Sequence, residues 1–418
     1  MSTNYRNLVK LMTNIKDKGM IEQIVKQKSA HHDLKSIDTS APFDQDGQLS
    51  RLQQIDESFS SKYLSDNGNI DDLSVLKGNI ENFIGFTKVP TGIAGPLLVN
   101  GTHAQGQFSI PLATTEGALV ASYSRGCKAA SLAGGITSIC MTESVQRSPL
   151  FKFKTIVEVG IFLAWIIEQY DQFVKITAAH TSHGKLTNFK TNVEGNQVNL
   201  VFEFDTGDAA GQNMVTFCTA GICDYIIQNS PVNPTTWYIE SNFSGDKKSN
   251  YQSFQNVRGK KVVAEVIIPK DIVRDVLKST PKLMEDYWKT STISLVQIGS
   301  IGTQGHIANG LTALFMATGQ DVACISEAQV AVNRFEVTDD GDLYASLTMP
   351  NLIVGTVGGG TGLPTQRECL ELMDCYGTGK AKKFAEICCA LALAGELSIA
   401  AAIASGHFVS AHLSLGRS

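Results

Sequence analysis

The chain has 418 residues, of which 43% are hydrophobic and 18% charged, and its formal net charge is -5. This composition is typical of a folded globular protein, and the lack of a basic domain argues against a nucleic-acid partner. The length exceeds what one hydrophobic core usually fills, so two or three domains are expected. The cysteines form no CxxC pair, which favours a reducing, cytoplasmic location over a disulfide framework or a zinc site.

The beginning of the chain is polar and has a helical pattern of apolar positions. It predicts a small helical N-terminal domain over residues 1–80, in which no chemistry is recognisable. Charged residues interrupt the apolar positions of the first segment, so no signal peptide is expected.

The segment that follows is rich in glycine, alanine, threonine and small apolar residues, which indicates closely packed backbone. It predicts a large domain formed by residues 81–148 and 250–418. Residues 149–239 interrupt this domain with the order strand, helix, strand, strand, helix, strand, in which "FVKITAAH" at 173–180 is the second strand. That order predicts an inserted ferredoxin-like βαββαβ unit in an α+β fold. A turn-rich loop at 240–249 joins the two parts.

The most membrane-like run of the sequence is "ICCALALAGELSIAAAIA", residues 387–404. Glu396 lies in its middle, and a carboxylate at that depth is costly in hydrocarbon. We therefore expect a buried helix of small residues, and no membrane partner.

Several common catalytic motifs are absent from the sequence. No GxGxxG follows a strand, and GxxxxGK[ST], HExxH and GxSxG do not occur, which removes the main support for Rossmann, P-loop, zincin and hydrolase assignments. The glycine cluster "GTVGGGTG" at 355–362, taken alone, fits a turn or a backbone crossing better than a phosphate cradle. His180 and His183 have no acid or cysteine at ligand spacing, so no metal site is expected.

Glu116 is the only formally charged residue between Lys88 and Arg125. One interpretation is an acid in the first turn of a helix, where the dipole stabilises a carboxylate. The other is an acid in an apolar site, where desolvation raises the pKa so that the group holds a proton near neutral pH. The residues alone leave both interpretations open.

Two other segments carry charges that invite a functional interpretation. Asp246, Lys247 and Lys248 lie together in the turn-rich stretch "SGDKKSN", for which a solvated loop is the ordinary interpretation. Asp321 follows a helical pattern in "ATGQDVA" and is either a cap or a site residue.

Seven blocks follow one another in a fixed order: "ENFIGFTKVPTGIAGPL", "PLATTEGALVASYSRGCKA", "DAAGQNM", "DKK", "GQD", "GTVGGGTGLPTQ" and "AGELSIAAAIASGHFVSAH". On these blocks, the chain from about residue 81 to its end resembles the soluble catalytic portion of class I 3-hydroxy-3-methylglutaryl-CoA reductases. The resemblance implies reduction of the 3-hydroxy-3-methylglutaryl-CoA thioester to mevalonate and CoA with two hydrides from NADPH.

The resemblance also implies a catalytic set made of Glu116, Lys247, Asp321 and His412. Lys247 would stabilise the negative charge that forms on the thioester oxygen, and His412 would protonate the departing CoA thiolate. Glu116 would give a proton to the aldehyde oxygen, and Asp321 would couple the charges of Lys247 and Glu116.

The same matching implies a set of substrate contacts: Ser122, Arg125, Lys128, Arg147, Asp246, Lys248, Asn309 and Gln366. Among them, Arg147 and Lys248 would hold the free carboxylate of the substrate, and Arg125 and Lys128 would meet CoA. The implied cofactor contacts lie in the inserted unit and in the glycine cluster: Thr181, Ser182, Asp208, Gly211, Gln212, Asn213, Met214, Val357, Gly358 and Gly359.

Two departures from the family pattern concern the cofactor. The family's "DAMGMNM" is "DAAGQNM" here, so Gln212 makes this loop more polar. Thr181 and Ser182 stand where animal forms contact the 2′-phosphate of NADPH, which leaves His183 or Lys185 to supply the cation. NADPH is expected, with an NADH-linked oxidative reductase as one alternative and an inactive CoA-binding oligomer as another.

The resemblance further implies a homodimer or homotetramer with active sites between subunits. The "ENFIG" segment and the helices rich in glycine and alanine would allow close subunit packing. A soluble form without the membrane anchor of eukaryotic members is expected.

Overall fold

The computed structural model describes residues 5–17, 19–28, 54, 79 and 87–406. Within the predicted N-terminal domain it describes two helices, α1 (Tyr5–Asp17) and α2 (Met20–Lys28). The predicted catalytic residue His412 lies outside the described residues.

The elements of the rest of the chain alternate between strands and helices. The first group is β1 (Thr91–Asn100), β2 (Gln105–Ala113), α3 (Leu119–Leu132), β3 (Thr137–Arg147), β4 (Leu150–Lys152), α4 (Ile156–Ile166), α5 (Tyr170–His180), β5 (Lys185–Glu194), β6 (Gln197–Asp205), α6 (Gln212–Asn229) and β7 (Thr236–Tyr238). The second group is β8 (Gly259–Ile268), α7 (Lys270–Ile272), α8 (Pro281–Gln297), α9 (Ile307–Thr318), α10 (Ile325–Ala328), β9 (Val332–Val337), β10 (Leu343–Leu352), α11 (Pro364–Leu372) and α12 (Ala381–Ala404).

The strands form a two-stranded antiparallel sheet, β1 with β2, and a larger sheet in the order β7-β4-β6-β3-β8-β10-β9, with β5 also paired to β6. Strand β3 links the two halves of the larger sheet. Residues 137–144 of this strand pair with β8, and residues 145–147 pair with β6. The segment predicted as an insertion therefore shares one sheet with the rest of the chain, and the two halves meet within β3, between residues 144 and 145.

Two separate hydrophobic clusters lie on this sheet. The larger one contains the buried faces of α3, α9, β8, β10 and α12, and the smaller one lies between residues 145 and 226. The smaller cluster is rich in aromatic side chains, including Phe151, Phe162, Phe173, Phe202 and Phe204, all fully buried. Each part of the sheet therefore has a hydrophobic core of its own.

Helix α12 is the central element of the larger cluster and is buried along most of its length. The predicted buried helix is thus confirmed. Among the described residues, α12 is the one helix long and apolar enough to cross a membrane, yet 83% of its most apolar window is buried inside the fold. It packs so closely on α3 that a Cβ on Gly126 would lie 1.8 Å from the carbonyl oxygen of Ala394.

One predicted element of the inserted segment is wrong. Residues 173–180, expected as a strand, form part of helix α5. Phe173 and Thr177 are its buried residues, and their spacing of four places them on one helical face. The strand occurs later, at β5, so the elements run β4, α4, α5, β5, β6, α6, β7, with the four strands adjacent in the order β7-β4-β6-β5.

Candidate active site

Lys247 and Asp321 form an ion pair at the surface of the chain. The Nζ of Lys247 lies 2.9 Å from Oδ2 of Asp321, and the two side chains are 42% and 37% exposed. The hydrogen bond to Asp321 raises the pKa of Lys247, so the ammonium stays charged at neutral pH. Oδ1 of Asp321 also accepts the N–H of Ala323 at 3.0 Å. This acid therefore caps the short helix that follows it and also pairs with Lys247.

The loop that carries Lys247 has an unusual backbone. Lys247 has φ 56°, in the left-handed region, which costs a residue with a Cβ about 1–2 kcal/mol. Two contacts with the segment after Asp321 hold this conformation. The N–H of Lys247 donates to Oε1 of Glu327 at 3.1 Å, and the hydroxyl of Ser249 donates to the carbonyl of Ser326.

Two buried arginines share the carboxylate of Asp246. Oδ2 of Asp246 lies 3.3 Å from Nη1 of Arg147, and Oδ1 lies 2.7 Å from Nη2 of Arg258. Each arginine has a second acid: Glu240 lies 3.0 Å from Arg147, and Glu327 lies 2.5 Å from Arg258. Three carboxylates thus surround two guanidinium groups directly behind the loop, and each buried cation has two acidic partners.

Glu327 is fully buried within this network. Burial raises its pKa to about 7, although the charge of Arg258 acts in the opposite direction. Perturbed acids of this kind concentrate at functional sites.

Arg147 and Lys248, the residues predicted to hold the substrate carboxylate, differ in availability. The guanidinium of Arg147 is only 8% exposed and already pairs with Glu240 and Asp246. Lys248 is exposed, and its ammonium donates to the backbone carbonyl of Asp246 at 2.7 Å. In this chain, Lys248 therefore has the less compensated charge of the two.

Glu116 does not lie where either interpretation of the sequence placed it. Helix α3 begins at Leu119, so Glu116 precedes the first turn. Its side chain is exposed in the single chain, so the expectation that its own apolar neighbours desolvate it is wrong: the loop after β2 turns outward there. Its N–H donates to Thr114 Oγ1 at 3.0 Å, and its carboxylate forms no ion pair with any described residue.

Ser122 and Arg125 lie where α3 crosses α12. The hydroxyl oxygens of Ser122 and Ser398 are 3.0 Å apart, and Nη2 of Arg125 donates to the carbonyl of Ser398 at 2.7 Å. The guanidinium of Arg125 is thereby fixed against α12. The remaining predicted substrate contacts lie on other helices: Lys128 is exposed on α3, Asn309 is exposed on the first turn of α9, and Gln366 is half-buried on α11.

The two segments predicted to hold the cofactor touch each other. The N–H of Thr356 donates to the carbonyl of Asp208 at 2.8 Å, and a Cβ on Gly355 would lie 2.5 Å from the backbone nitrogen of Ala210. The carboxylate of Asp208 accepts the N–H groups of Gly379 at 2.7 Å and Ala381 at 3.1 Å, at the start of α12. The Asp208 side chain therefore joins the predicted cofactor segment to the N-terminus of α12. A helix N-terminus stabilises negative charge.

Gln212 connects the cofactor segment to the arginines. Its Oε1 accepts from Nη2 of Arg258 at 2.9 Å and from Nη2 of Arg147 at 3.3 Å. Gly211 precedes it with φ 77° and caps α6, a conformation that favours glycine. The other predicted contacts vary in exposure: Ser182, Asn213, Gly358 and Gly359 are exposed, and Thr181, Met214 and Val357 are half-buried.

Comparison with known families shows which family the chain belongs to. The family model for hydroxymethylglutaryl-coenzyme A reductase matches residues 48–417. The chain belongs to this family of oxidoreductases. A 3-hydroxy-3-methylglutaryl-coenzyme A reductase from Pyrococcus horikoshii is 45% identical over 83% of this chain and 86% of that protein. The reductase of Methanocaldococcus jannaschii is 42% identical over 84% of this chain and 88% of that protein.

Solved structures of the reductase family share the fold. A 3-hydroxy-3-methylglutaryl-coenzyme A reductase of Streptococcus pneumoniae gives a TM-score of 0.65 at 17% identity, over 79% of this chain and 89% of that one. The class II reductase of the same organism, bound to NADPH in open conformations, gives 0.63 at 18% identity with the same coverage. At such identities the likeness shows the fold alone.

Three members of the charged network were not singled out by the sequence: Glu240, Arg258 and Glu327. Their positions in the sequence give only a weak indication of a role in the site. Glu240 and Arg258 lie on either side of the "DKK" loop, and Glu327 follows "GQD" by six residues. What the sequence does not contain is the pairing between these distant segments, which only the packing of the reductase fold provides.

Proposed function

We propose that the chain reduces 3-hydroxy-3-methylglutaryl-CoA to mevalonate and CoA in the cytoplasm, with NADPH as the reductant. The observation that carries the proposal is the ion pair between Lys247 and Asp321. The loop that carries Lys247 is connected to the predicted cofactor segment by hydrogen bonds. Gln212 and the two arginines form that connection. Membership of the reductase family indicates the substrate, and the ion pair provides the cation that the reaction needs.

Lys247 stabilises the oxygen of the thioester carbonyl as it becomes negative. A cation fixed in advance is worth most here because it needs no reorganisation during the reaction. Asp321 keeps the ammonium protonated and aims it, since the 2.9 Å contact raises the pKa of the lysine. Lys248, with its exposed charge, binds the free carboxylate of the substrate, next to Arg147.

The later steps need two proton donors. His412 protonates the CoA thiolate as the thiohemiacetal collapses, because imidazole titrates near neutral pH. Glu116 gives a proton to the aldehyde oxygen. Its exposure in the single chain supports a site completed by another subunit, which would remove water from the carboxyl group. The assembly proposed is a homodimer or homotetramer.

The residues of the inserted segment fit a dinucleotide. The Nε2 of Gln212 is buried without a hydrogen-bond partner among the described residues, and the backbone of Gly358 and Gly359 is exposed. Thr181, Ser182 and the loop that follows would face the 2′-phosphate. When bound, NADPH supplies the two hydrides. The strand order β7-β4-β6-β5 supports the predicted ferredoxin-like unit as its binding domain.

The test is a cofactor-resolved assay of the wild type and of Lys247→Ala. We expect the wild type to oxidise NADPH faster than NADH in the presence of 3-hydroxy-3-methylglutaryl-CoA. Loss of one preorganised donor to an oxyanion costs about 100- to 1,000-fold in kcat, so Lys247→Ala should fall by at least that factor. Circular dichroism checks that the variant is folded.

Lys289→Ala is the matched control, because Lys289 also pairs with one acid, Glu285 at 3.2 Å, and is 54% exposed on α8. It should keep wild-type turnover. Normal turnover of Lys247→Ala would show that the oxyanion role is misplaced, and faster turnover with NADH would overturn the cofactor assignment. A folded wild type that binds CoA and oxidises neither cofactor would establish the inactive oligomer instead.

A further inference from the structure

The carboxyl group of Glu327 lies directly behind the loop that carries Lys247. Its side chain is 1% exposed, and Oε1 contacts both the backbone N–H of Lys247 and the guanidinium of Arg258. Neither composition nor motif pointed to this acid. The contacts of Glu327 suit a role in fixing the position of Lys247.

A single short segment holds Lys247 at both ends. Asp321 binds the ammonium at 2.9 Å, and Glu327, six residues later, binds the backbone N–H at 3.1 Å. The carbonyl of Ser326 accepts the hydroxyl of Ser249 two residues after the lysine. With the backbone and the ammonium both fixed, the flexible stem of Lys247 has few remaining conformations, and the ammonium position is set in advance.

The contact with Glu327 also supports an unfavourable backbone conformation. Lys247 has φ 56°, and such a conformation persists only where the surrounding structure determines it. An acceptor placed for the N–H of that same residue is a direct way to do so. Without the acceptor, the peptide has a lower-energy alternative in which the side chain points elsewhere.

Arg258 ties Glu327 to the other side of the loop. The guanidinium lies 2.5 Å from Glu327 and 2.7 Å from Asp246, the residue before Lys247. The arginine is 3% exposed, so its charge needs both acids. Glu327 therefore acts on the loop directly through the N–H of Lys247 and indirectly through Asp246.

A small polar cavity lies on the far side of the carboxylate. It has about 10 Å³ open to the centre of a water molecule, which is the space that one ordered water needs. Glu327, Arg258 and Asn250 line it, and each contributes a buried polar atom that has no hydrogen-bond partner in the described part of the chain: Oε2, Nε and Oδ1. The second carboxylate oxygen thus faces a polar space while the first holds the loop.

We infer that Glu327 is a positioning residue for Lys247: its carboxylate fixes the left-handed backbone of the lysine and thereby aims the ammonium at the reacting oxygen. This inference rests on the proposed role of Lys247. Because Glu327 is buried behind the loop and acts through Lys247, its removal should lower kcat and leave substrate binding nearly unchanged.

The decisive variant is Glu327→Asp, which keeps the charge for Arg258 and withdraws the acceptor by about 1.5 Å, the length of one C–C bond. Since a misplacement of 1 Å costs up to about 100-fold in rate, kcat should fall roughly 30- to 100-fold, with KM for 3-hydroxy-3-methylglutaryl-CoA changed less than about threefold. Glu327→Gln keeps an acceptor at full length, so it should retain more activity than Glu327→Asp.

Hydrogen exchange of the peptide that contains Lys247 gives a readout independent of turnover. It should be faster in Glu327→Asp than in the wild type. The control is Glu386→Gln, a buried acid that accepts the N–H groups of His103 at 2.8 Å and Ala104 at 2.7 Å on the β1–β2 turn. It should lower Tm and leave both kcat and exchange in the Lys247 loop unchanged.

The proposed chemistry of Lys247 and the positioning role of Glu327 predict different outcomes for these variants. If Lys247→Ala turns over normally, the proposed chemistry is wrong. If Lys247→Ala is inactive while folded Glu327→Asp has wild-type kcat and wild-type exchange in the loop, the positioning role is overturned and the proposed chemistry stands. If Glu327→Asp does not fold, Glu327→Gln provides the test. Glu327 would be a purely structural acid if Glu327→Gln leaves hydrogen exchange in the Lys247 loop unchanged and loses no more kcat than Glu386→Gln does.

Discussion

The charge of Glu327 depends on pH in the physiological range. Burial raises its pKa to about 7 from an ordinary value of 4.5. The charged groups that face it are Arg258 and Asp246, with the N–H of Lys247 and the thiol of Cys324 completing its surroundings. Because the folded-state pKa is the higher one, the folded chain binds this proton more tightly than the unfolded chain between these two values.

The sign of the effect on stability follows from that difference. As pH rises from 4.5 to about 7.5, the wild type should lose free energy of unfolding relative to Glu327→Gln, by up to about 3 kcal/mol. Urea unfolding of both proteins at several pH values measures this difference. Glu285→Gln is a control of opposite sign, since Lys282 lowers the pKa of Glu285. A wild type that gains on Glu327→Gln as pH rises would contradict the raised pKa.

At the scale of elements, helix α6 connects the predicted cofactor segment to the loop that carries Lys247 through its first residue. Gln212 and Asp246 both contact Arg147 and Arg258, so the start of α6 and this loop share one hydrogen-bonded cluster. A ligand that orders one of them should assist binding at the other, because both bias the same cluster.

We predict that Gln212→Met weakens this coupling. The thioether makes at most a weak hydrogen bond to the arginines, so the gain in cofactor affinity caused by bound 3-hydroxy-3-methylglutaryl-CoA should shrink about fivefold. The Kd of NADPH, measured by fluorescence with and without the acyl-CoA, gives the ratio. Thr216→Val is the control, because its hydroxyl donates only to the Gln212 carbonyl within α6. Equal ratios in wild type and Gln212→Met would remove the coupling role.

The elements differ in how much of them the sequence determines. Helix α12 was predictable because its apolar residues run on all faces, which leaves only a buried position for it. The strand expected at 173–180 was wrong because a short run with β-branched and aromatic residues fits a strand or a helix equally, and only packing of Phe173 against the sheet decides.

The site shows the same division. The acid Glu116 was recognisable by its isolation in the sequence, but its surroundings depend on what covers the loop. The cluster of Arg147, Asp246, Arg258 and Glu327 was not predictable, because it joins segments up to 180 residues apart, between 147 and 327, that meet only after β3 and β8 pair. Ion pairs between such distant residues leave no repeating pattern in the sequence from which they could be predicted.

At the scale of the whole molecule, the described residues form two cores on one sheet but bring together only part of the proposed catalytic set. Lys247 and Asp321 are joined, while the exposed carboxylate of Glu116 pairs with no described residue. A proton donor to a buried carbonyl oxygen requires exclusion of water, which the described residues of one chain do not give to Glu116. A second copy of the chain would supply it, and a symmetric dimer would do so at two equivalent sites.

That geometry can be tested by complementation between inactive subunits. We predict that Glu116→Ala and Lys247→Ala are each inactive, and that mixing them after mild dissociation restores up to about a quarter of wild-type activity, because half of the dimers are mixed and one of two sites in each is intact. The activity of re-associated mixtures measures this, with wild type mixed with Lys247→Ala as the control for exchange. If Glu116 and Lys247 act within one chain, every site in the mixed dimer lacks one of them, and no activity returns.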